Sequence, residues 1–133
     1  MLEKKIKIEY LIDTDVLFEH LIKKQIDGDS FLIRLMKKGL CFTTVLNAAE
    51  LMLKSTDGEK EKSIRSLLSA VKVLGLHSRY SLSVNTLSPG NRELRDILFM
   101  VTAEINKLNI VTLNIDRYRS EKIKIYHPEQ ILD

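Results

Sequence analysis

The stretch Tyr10-Leu11-Ile12-Asp13-Thr14-Asp15-Val16-Leu17 changes its apolar period in mid-course. Upstream of Asp13, Ile6, Ile8 and Tyr10 alternate with Lys5, Lys7 and Glu9, the two-residue period of a strand that closes in Leu11-Ile12. Downstream, Val16, Leu17, His20 and Leu21 stand at helical spacing. A strand that ends on a carboxylate and turns at once into a helix is the opening of an α/β unit.

The same alternation continues along the chain. Asp29-Ser30 offers an N-cap for a helix over Phe31 to Lys38, with Gly39 as its stop. Leu40 to Thr43 reads as a second strand, followed by a helix through Val45, Ala48, Ala49, Met52 and Leu53. Asp57-Gly58 is a turn, and Ile64, Leu67, Leu68 and Val71 mark one face of a helix over Glu59 to Leu74, with a short third strand over Val73 to Leu76 as the alternative for its end. Residues 77 to 93 are weakly patterned up to the turn Pro89-Gly90-Asn91. Leu94, Ile97, Leu98, Val101, Ile105 and Leu108 then predict a long one-faced helix ended by Asn109. Ile110 to Leu113 reads as a buried strand, Ile123 to Tyr126 as an edge strand, and Pro128 as the first residue of a terminal helical turn. The expected architecture is α/β, three layers α/β/α around a central parallel sheet of four or five short strands, in a single domain over 1–133.

Composition excludes several classes. In 133 residues, 44% are hydrophobic and 29% charged, enough for a packed core. The single Cys41 rules out an internal disulfide framework and suits a buried thiol in a reducing compartment. No run of 18 apolar residues or signal-type h-region is seen, so a soluble, cytoplasmic protein without membrane contact is expected. Lys+Arg 21 against Asp+Glu 18 gives +3, compatible with nucleic acid but not decisive. His20, His77 and His127 are isolated, the serines of Ser78 to Ser88 lack triad partners, and the 5 Gly are too scattered to cradle phosphate.

In a parallel sheet, ligands bind at the carboxyl ends of the strands, which makes the position of each acid informative. Asp13 terminates the first strand, Glu50 lies in the helix after the second, Asp96 opens the long helix, and Asn114 and Asp116 follow the strand Ile110 to Leu113. Acids converging on one rim repel one another unless a cation neutralises them, and oxygen-only donors suit Mg²⁺ or Mn²⁺. Each acid also has a plain reading. Asp13 or Asp15 caps the following helix, Asp96 complements a helix dipole, and Glu50, beside Ala48 and Ala49, faces solvent.

In order and spacing, Tyr10 to Leu17, Thr43-Thr44-Val45-Leu46-Asn47-Ala48-Ala49-Glu50-Leu51, Arg95-Asp96-Ile97-Leu98 and Ile110 to Asn114 resemble the PIN-domain family, in particular the VapC-type ribonuclease toxins of prokaryotic toxin–antitoxin pairs. The likeness spans essentially the whole chain, including Tyr126-His127-Pro128-Glu129-Gln130-Ile131-Leu132. It implies a metal-dependent ribonuclease that hydrolyses RNA phosphodiester bonds, with Asp13, Glu50 and Asp96 catalytic. It also implies Mg²⁺ or Mn²⁺ held by Asp13, Glu50, Asp96 and Asn114 with Asp116 as a substitute, and Thr14 and Thr112 as hydrogen-bonding supports. The partners it implies are RNA, a cognate antitoxin and a second copy of the chain in a homodimer. Arg117, Arg119, Lys122 and Lys124, interleaved with Tyr118 and Tyr126, offer RNA contacts or else a solvated edge.

Three features depart from the family pattern: Asn114 where a fourth carboxylate is usual, a short segment from His77 to Glu93, and the bulky Ile97-Leu98-Phe99-Met100. They leave open a catalytically impaired domain that binds RNA or protein. Asp13-Thr14-Asp15-Val16 also fits the first motif of haloacid-dehalogenase-like phosphohydrolases, with Asp13 as nucleophile and Asp15 as acid/base.

Overall fold

β1 (Ile8–Ile12) forms the middle of a five-stranded sheet, flanked by β2 (Gly39–Thr44) on one side and β4 (Asn109–Val111) on the other. β3 (Lys72–Leu74) and β5 (Ile125–Tyr126) complete the order β3-β2-β1-β4-β5, and every neighbouring pair is parallel. The computed structural model describes residues 8–26, 28–87 and 92–132. The upstream half of the expected first strand and the Pro89-Gly90-Asn91 turn lie outside the described residues.

The helices are α1 (Thr14–Ile26), α2 (Phe31–Met36), α3 (Val45–Leu53), α4 (Gly58–Ala70), α5 (Leu94–Asn106) and α6 (Pro128–Ile131), with 3-10 segments over Ser78–Leu87 and Ile115–Tyr118. Both sheet faces are covered. Tyr10 and Ile12 of β1 pack with Val16, Leu17, Leu35, Leu51 and Ile64, whereas Leu11 packs with Ile97, Phe99, Met100 and Tyr118. Successive strand residues point to opposite faces, so the fully buried Leu11 and Ile12 serve two different helical layers. The three-layer α/β/α architecture with a parallel sheet is therefore as the sequence predicts. No helix among the described residues is long and apolar enough to cross a membrane.

Several boundaries differ from expectation for local reasons. Gly39 does not stop α2, whose C-cap is Lys37 in right-handed geometry. It begins β2 instead, where an added Cβ would lie 2.3 Å from the Ile8 carbonyl oxygen and 2.9 Å from the Tyr10 ring. Glycine is required there by the close approach of β1. Gly39→Ala is accordingly expected to lower stability by about 2–3 kcal/mol, read from urea unfolding, through forced separation of the two strands.

Asp57 caps α4 by accepting the Lys60 N–H at 2.8 Å, and the helix ends at Ala70, leaving Lys72–Leu74 free to join the sheet. α5 ends before Asn109, at Lys107, which holds the left-handed conformation with φ 56. That conformation is strained for a residue with a Cβ, so Lys107→Gly is expected to raise stability by about 0.5–1 kcal/mol in the same unfolding measurement.

Leu94 and Ile105, counted on the apolar face of α5, are 61% and 48% exposed, while Phe99, Met100 and Ala103 turn inward. Ala49 and Leu53 of α3 are likewise exposed, and Asn47 and Leu51 form its buried side. β4 and β5 are shorter than predicted: β4 stops at Val111, before Thr112 and Leu113, and β5 begins only at Ile125, after Ile123 and Lys124. Cys41 is half-buried and unbridged, its thiol pushed up to about 12 by burial.

Candidate functional site

The strand order reverses between β1 and β4, and the carboxyl ends of these two strands meet at Asp13 and Thr112. This is the switch point at which open parallel sheets form their crevice. Asp13 is 1% exposed; its side chain takes the N–H of Thr14, the first residue of α1, and otherwise turns into the crevice. Oδ1 accepts from the Thr14 N–H (2.8 Å), Asn47 Nδ2 (3.3 Å) and Arg95 Nη2 (2.8 Å), and Oδ2 accepts from Thr112 Oγ1 (3.0 Å) and Tyr118 Oη (2.7 Å). Five donors thus surround a group with about four lone-pair positions.

The first turn of α3 builds one wall. Thr44 caps it, accepting from Leu46 and Asn47, and Asn47 Oδ1 answers by accepting the Thr44 N–H (3.0 Å) and hydroxyl (2.6 Å). The locked Asn47 then donates from Nδ2 to Thr14 Oγ1 at 2.9 Å as well as to Asp13. One turn further, Glu50 Oε1 accepts from Thr14 Oγ1 (2.6 Å) and from Arg95 Nη2 (2.6 Å). Glu50 does not simply face solvent. Its partial burial raises its pKa, but hydrogen bonds from Arg95 and Thr14 and the charge of Arg95 outweigh this and hold its carboxyl below the ordinary range.

The opposite wall comes from the start of α5 and the segment after β4. Asp96 Oδ1 accepts from Arg95 Nη1 (3.2 Å), Arg117 Nε (2.9 Å) and Arg117 Nη2 (2.8 Å). Arg95 is the common element, because its guanidinium touches Asp13, Glu50 and Asp96 and also donates to Tyr118 Oη and Thr14 Oγ1. Its planar fork allows one side chain to meet several oxygens at once. Phe99, 5.1 Å from the guanidinium carbon, and the fully buried Tyr118 back it. Burial lowers the pKa of Arg95, but the surrounding acids more than reverse this and raise it above the usual arginine value.

Three of the predicted residues, Asp13, Glu50 and Asp96, therefore meet on one cation, with Thr14 and Thr112 bonded to the first two as supports. Asn114 and Asp116 do not join them. Asn114 is exposed and gives its backbone N–H to Thr112 Oγ1, and Asp116, 70% exposed, pairs with Arg119, because the 3-10 turn Ile115–Tyr118 carries it outward. Of the basic residues, Arg117 is committed to Asp96, Arg119 lies at the surface with its backbone carbonyl accepting from Arg92, and Lys122 is exposed.

Asp15 is a further acid in the crevice. Its Oδ2 accepts from the Leu113 N–H and lies 3.0 Å from the Thr112 hydroxyl, while Oδ1 is buried without a hydrogen-bond partner among the described residues. Burial, then the charge of Asp13, raises its pKa. The sequence reading missed Arg95, Asn47 and Tyr118 as site residues. The available signals were an Arg directly before the helix-opening Asp and an Asn three residues after a capping Thr.

Carboxylate oxygens without nitrogen or sulfur donors fit a hard divalent cation in kind, and they already surround a positive group. With Arg95 between them, no three Asp, Glu, His or Cys side chains among the described residues stand close enough to hold a metal ion.

A family model described as the PIN domain matches residues 10–122. The chain is also similar in fold to solved structures. One is a DNA-bound VapBC from Salmonella typhimurium (15% identity, covering 91% of this chain and 98% of that one, TM-score 0.74). Another is a toxin–antitoxin complex from Klebsiella pneumoniae (17%, 90% and 97%, TM-score 0.70), and a third is VapBC2 from Rickettsia felis bound to a promoter DNA fragment (20%, 90% and 98%, TM-score 0.69). No curated protein sequence gives a match.

Proposed function

The chain belongs to the PIN domain family, and from that premise we propose that it is a metal-dependent ribonuclease, the toxin of a toxin–antitoxin pair, working at the crevice between β1 and β4. The observation that carries this reading is the meeting of Asp13, Glu50 and Asp96, from three separate segments, around a single positive group. Membership also sets aside the phosphohydrolase alternative; Asp15, its would-be acid/base, is instead engaged with Thr112 and the Leu113 backbone.

In this reading Asp13, Glu50 and Asp96 hold Mg²⁺ or Mn²⁺. Such an ion supplies a bound water of lowered pKa and stabilises charge on the phosphoryl oxygens. Asp13 is oriented by Thr14, Asn47, Thr112 and Tyr118, and Thr14 fixes the Glu50 carboxylate. Arg117, one-third exposed beside Asp96, and the exposed Lys122 attract RNA phosphates.

An antitoxin partner is supported by the fold neighbours, which are toxin–antitoxin complexes, and by a cavity of about 770 Å³ lined by Phe18, Ile22, Leu51 and Ile64. The exposed Leu82 and Leu94 offer apolar surface to a second copy.

The test is cleavage of single-stranded RNA with Mn²⁺. Cleavage is expected to stop with chelator and to fall about a hundredfold in Asp96→Asn; undiminished cleavage in chelator would contradict the reading. A second reading, an impaired domain that binds RNA without cutting it, is favoured by the saturation of Asp13 with donors. Under that reading RNA is retained in chelator and no metal restores cleavage.

A further inference from the structure

We propose that Arg95 is the built-in occupant of the cation position: its guanidinium and a divalent ion exclude each other, so ion entry requires this side chain to swing out. The inference deepens the nuclease reading and rests on it. Three observations support it.

The first is the donor count at Asp13. Thr14, Asn47, Tyr118 and Arg95 donate, and the Thr112 hydroxyl divides its one hydrogen between Asp13 and Asp15, so Asp13 keeps at most one lone pair for a metal. Room for a cation is made by removing a donor. Thr14 N–H belongs to the backbone, Asn47 is locked by Thr44, and Thr112 and Tyr118 belong to the buried frame. Arg95 alone among the five carries a positive charge that a second cation would repel.

The second is that the same guanidinium contacts all three acids, so its departure frees Asp13, Glu50 and Asp96 together. The third is access. The Arg95 side chain is 16% exposed and its neighbour Glu50 35% exposed, so the cluster opens to solvent on the Glu50 side, whereas Asp13 at 1% is the closed end. Rotation of the side chain toward that opening leaves the α5 backbone in place. With Arg95 and Arg117 both seated, two positive charges face the carboxylates of Asp13, Glu50 and Asp96, with Asp15 beside Asp13 as a fourth acid. With Arg95 turned out, the cluster regains the negative charge that draws a divalent ion. Exclusion is reciprocal by linkage: whatever the ion does to Arg95, Arg95 does to the affinity of the ion.

The experiment measures Mn²⁺ binding by electron paramagnetic resonance in the full chain, in Arg95→Met, which keeps an apolar stem over Phe99, and in Arg95→Met combined with Asp13→Asn. Arg95→Met is expected to bind Mn²⁺ about tenfold to a hundredfold more tightly than the unaltered chain, with the gain lost in the double variant. Equal or weaker affinity in Arg95→Met overturns the proposal and leaves the metal-binding reading standing. Absence of Mn²⁺ binding in both single forms overturns both. Tighter binding without RNA cleavage upholds the exclusion and defeats the ribonuclease reading. Should Arg95→Met fail to fold, the unaltered chain supplies the answer by nuclear magnetic resonance. The Arg95 side-chain Nε–H signal is expected to lose its exchange protection as Mg²⁺ saturates the site, and a signal unchanged at saturation overturns the proposal.

Discussion

Asp13→Ala is expected to lower the unfolding free energy at pH 7 by about 2–3 kcal/mol, below the roughly 3–5 kcal/mol typical of breaking a buried ion pair. The reduction from the full value has two causes: Arg95 keeps Glu50 and Asp96 as partners, and loss of the Asp13 charge relieves the repulsion that raises Asp15. What remains is large because the Tyr118 hydroxyl, the Thr112 hydroxyl and Asn47 Nδ2 all lose an acceptor in a region closed to water. Asp13→Asn retains one acceptor oxygen and is expected to fall between Asp13→Ala and the unaltered chain. Urea unfolding with an unchanged slope provides the measurement. A change within about 0.5 kcal/mol, the range of ordinary surface substitutions, would mean that the five donors do not depend on Asp13.

Phe99→Ala is expected to have the largest effect on stability, about 3–5 kcal/mol. The ring is fully buried and lies 5.2 Å from Tyr118, in the layer where α5 covers Leu11 and Ile110. Truncation removes the ring beneath the Arg95 guanidinium and leaves a void beside Tyr118, which also bonds Arg95, so the damage extends from the core to the site. Leu94→Ala on the same helix is the control. With Leu94 61% exposed, its loss is expected to stay within about 0.5 kcal/mol. Equal losses for the two variants would place α5 in a different rotation from the one described here.

That rotation also marks where sequence legibility ends. The change of period at Asp13 revealed the strand-to-helix turn because backbone geometry alone sets the periods of two and 3.6. The three acids could be assigned to one rim because a parallel sheet carries all strand ends on one side. The face of α5 was less readable. Apolar residues run nearly all around Leu94 to Val101, and the neighbours that choose among them are the 3-10 segments on either side. Since Arg95 and Asp96 are adjacent in sequence, only that choice turns both toward the crevice.

Tyr118 read as one ring in a basic, solvated stretch, yet it is fully buried and donates to Asp13; Asp116, two residues earlier, read as a site acid and lies outside. A single 3-10 turn exchanges their roles, and such short turns have no periodic signature. Gly39 likewise suited a helix stop in sequence, whereas its actual constraint, the Ile8 carbonyl, lies on a strand 31 residues away that only the sheet brings near.

The central claim is that the acids gathered at Asp13 form a nuclease centre. It is tested most directly by RNA cleavage at saturating Mn²⁺, comparing the unaltered chain with Asp13→Asn after both are shown to be folded by their melting transitions. The account predicts metal-dependent cleavage by the unaltered chain and a loss of about a hundredfold or more in the variant. Equal cleavage by the two proteins, or none by the unaltered chain at any metal concentration, would contradict it.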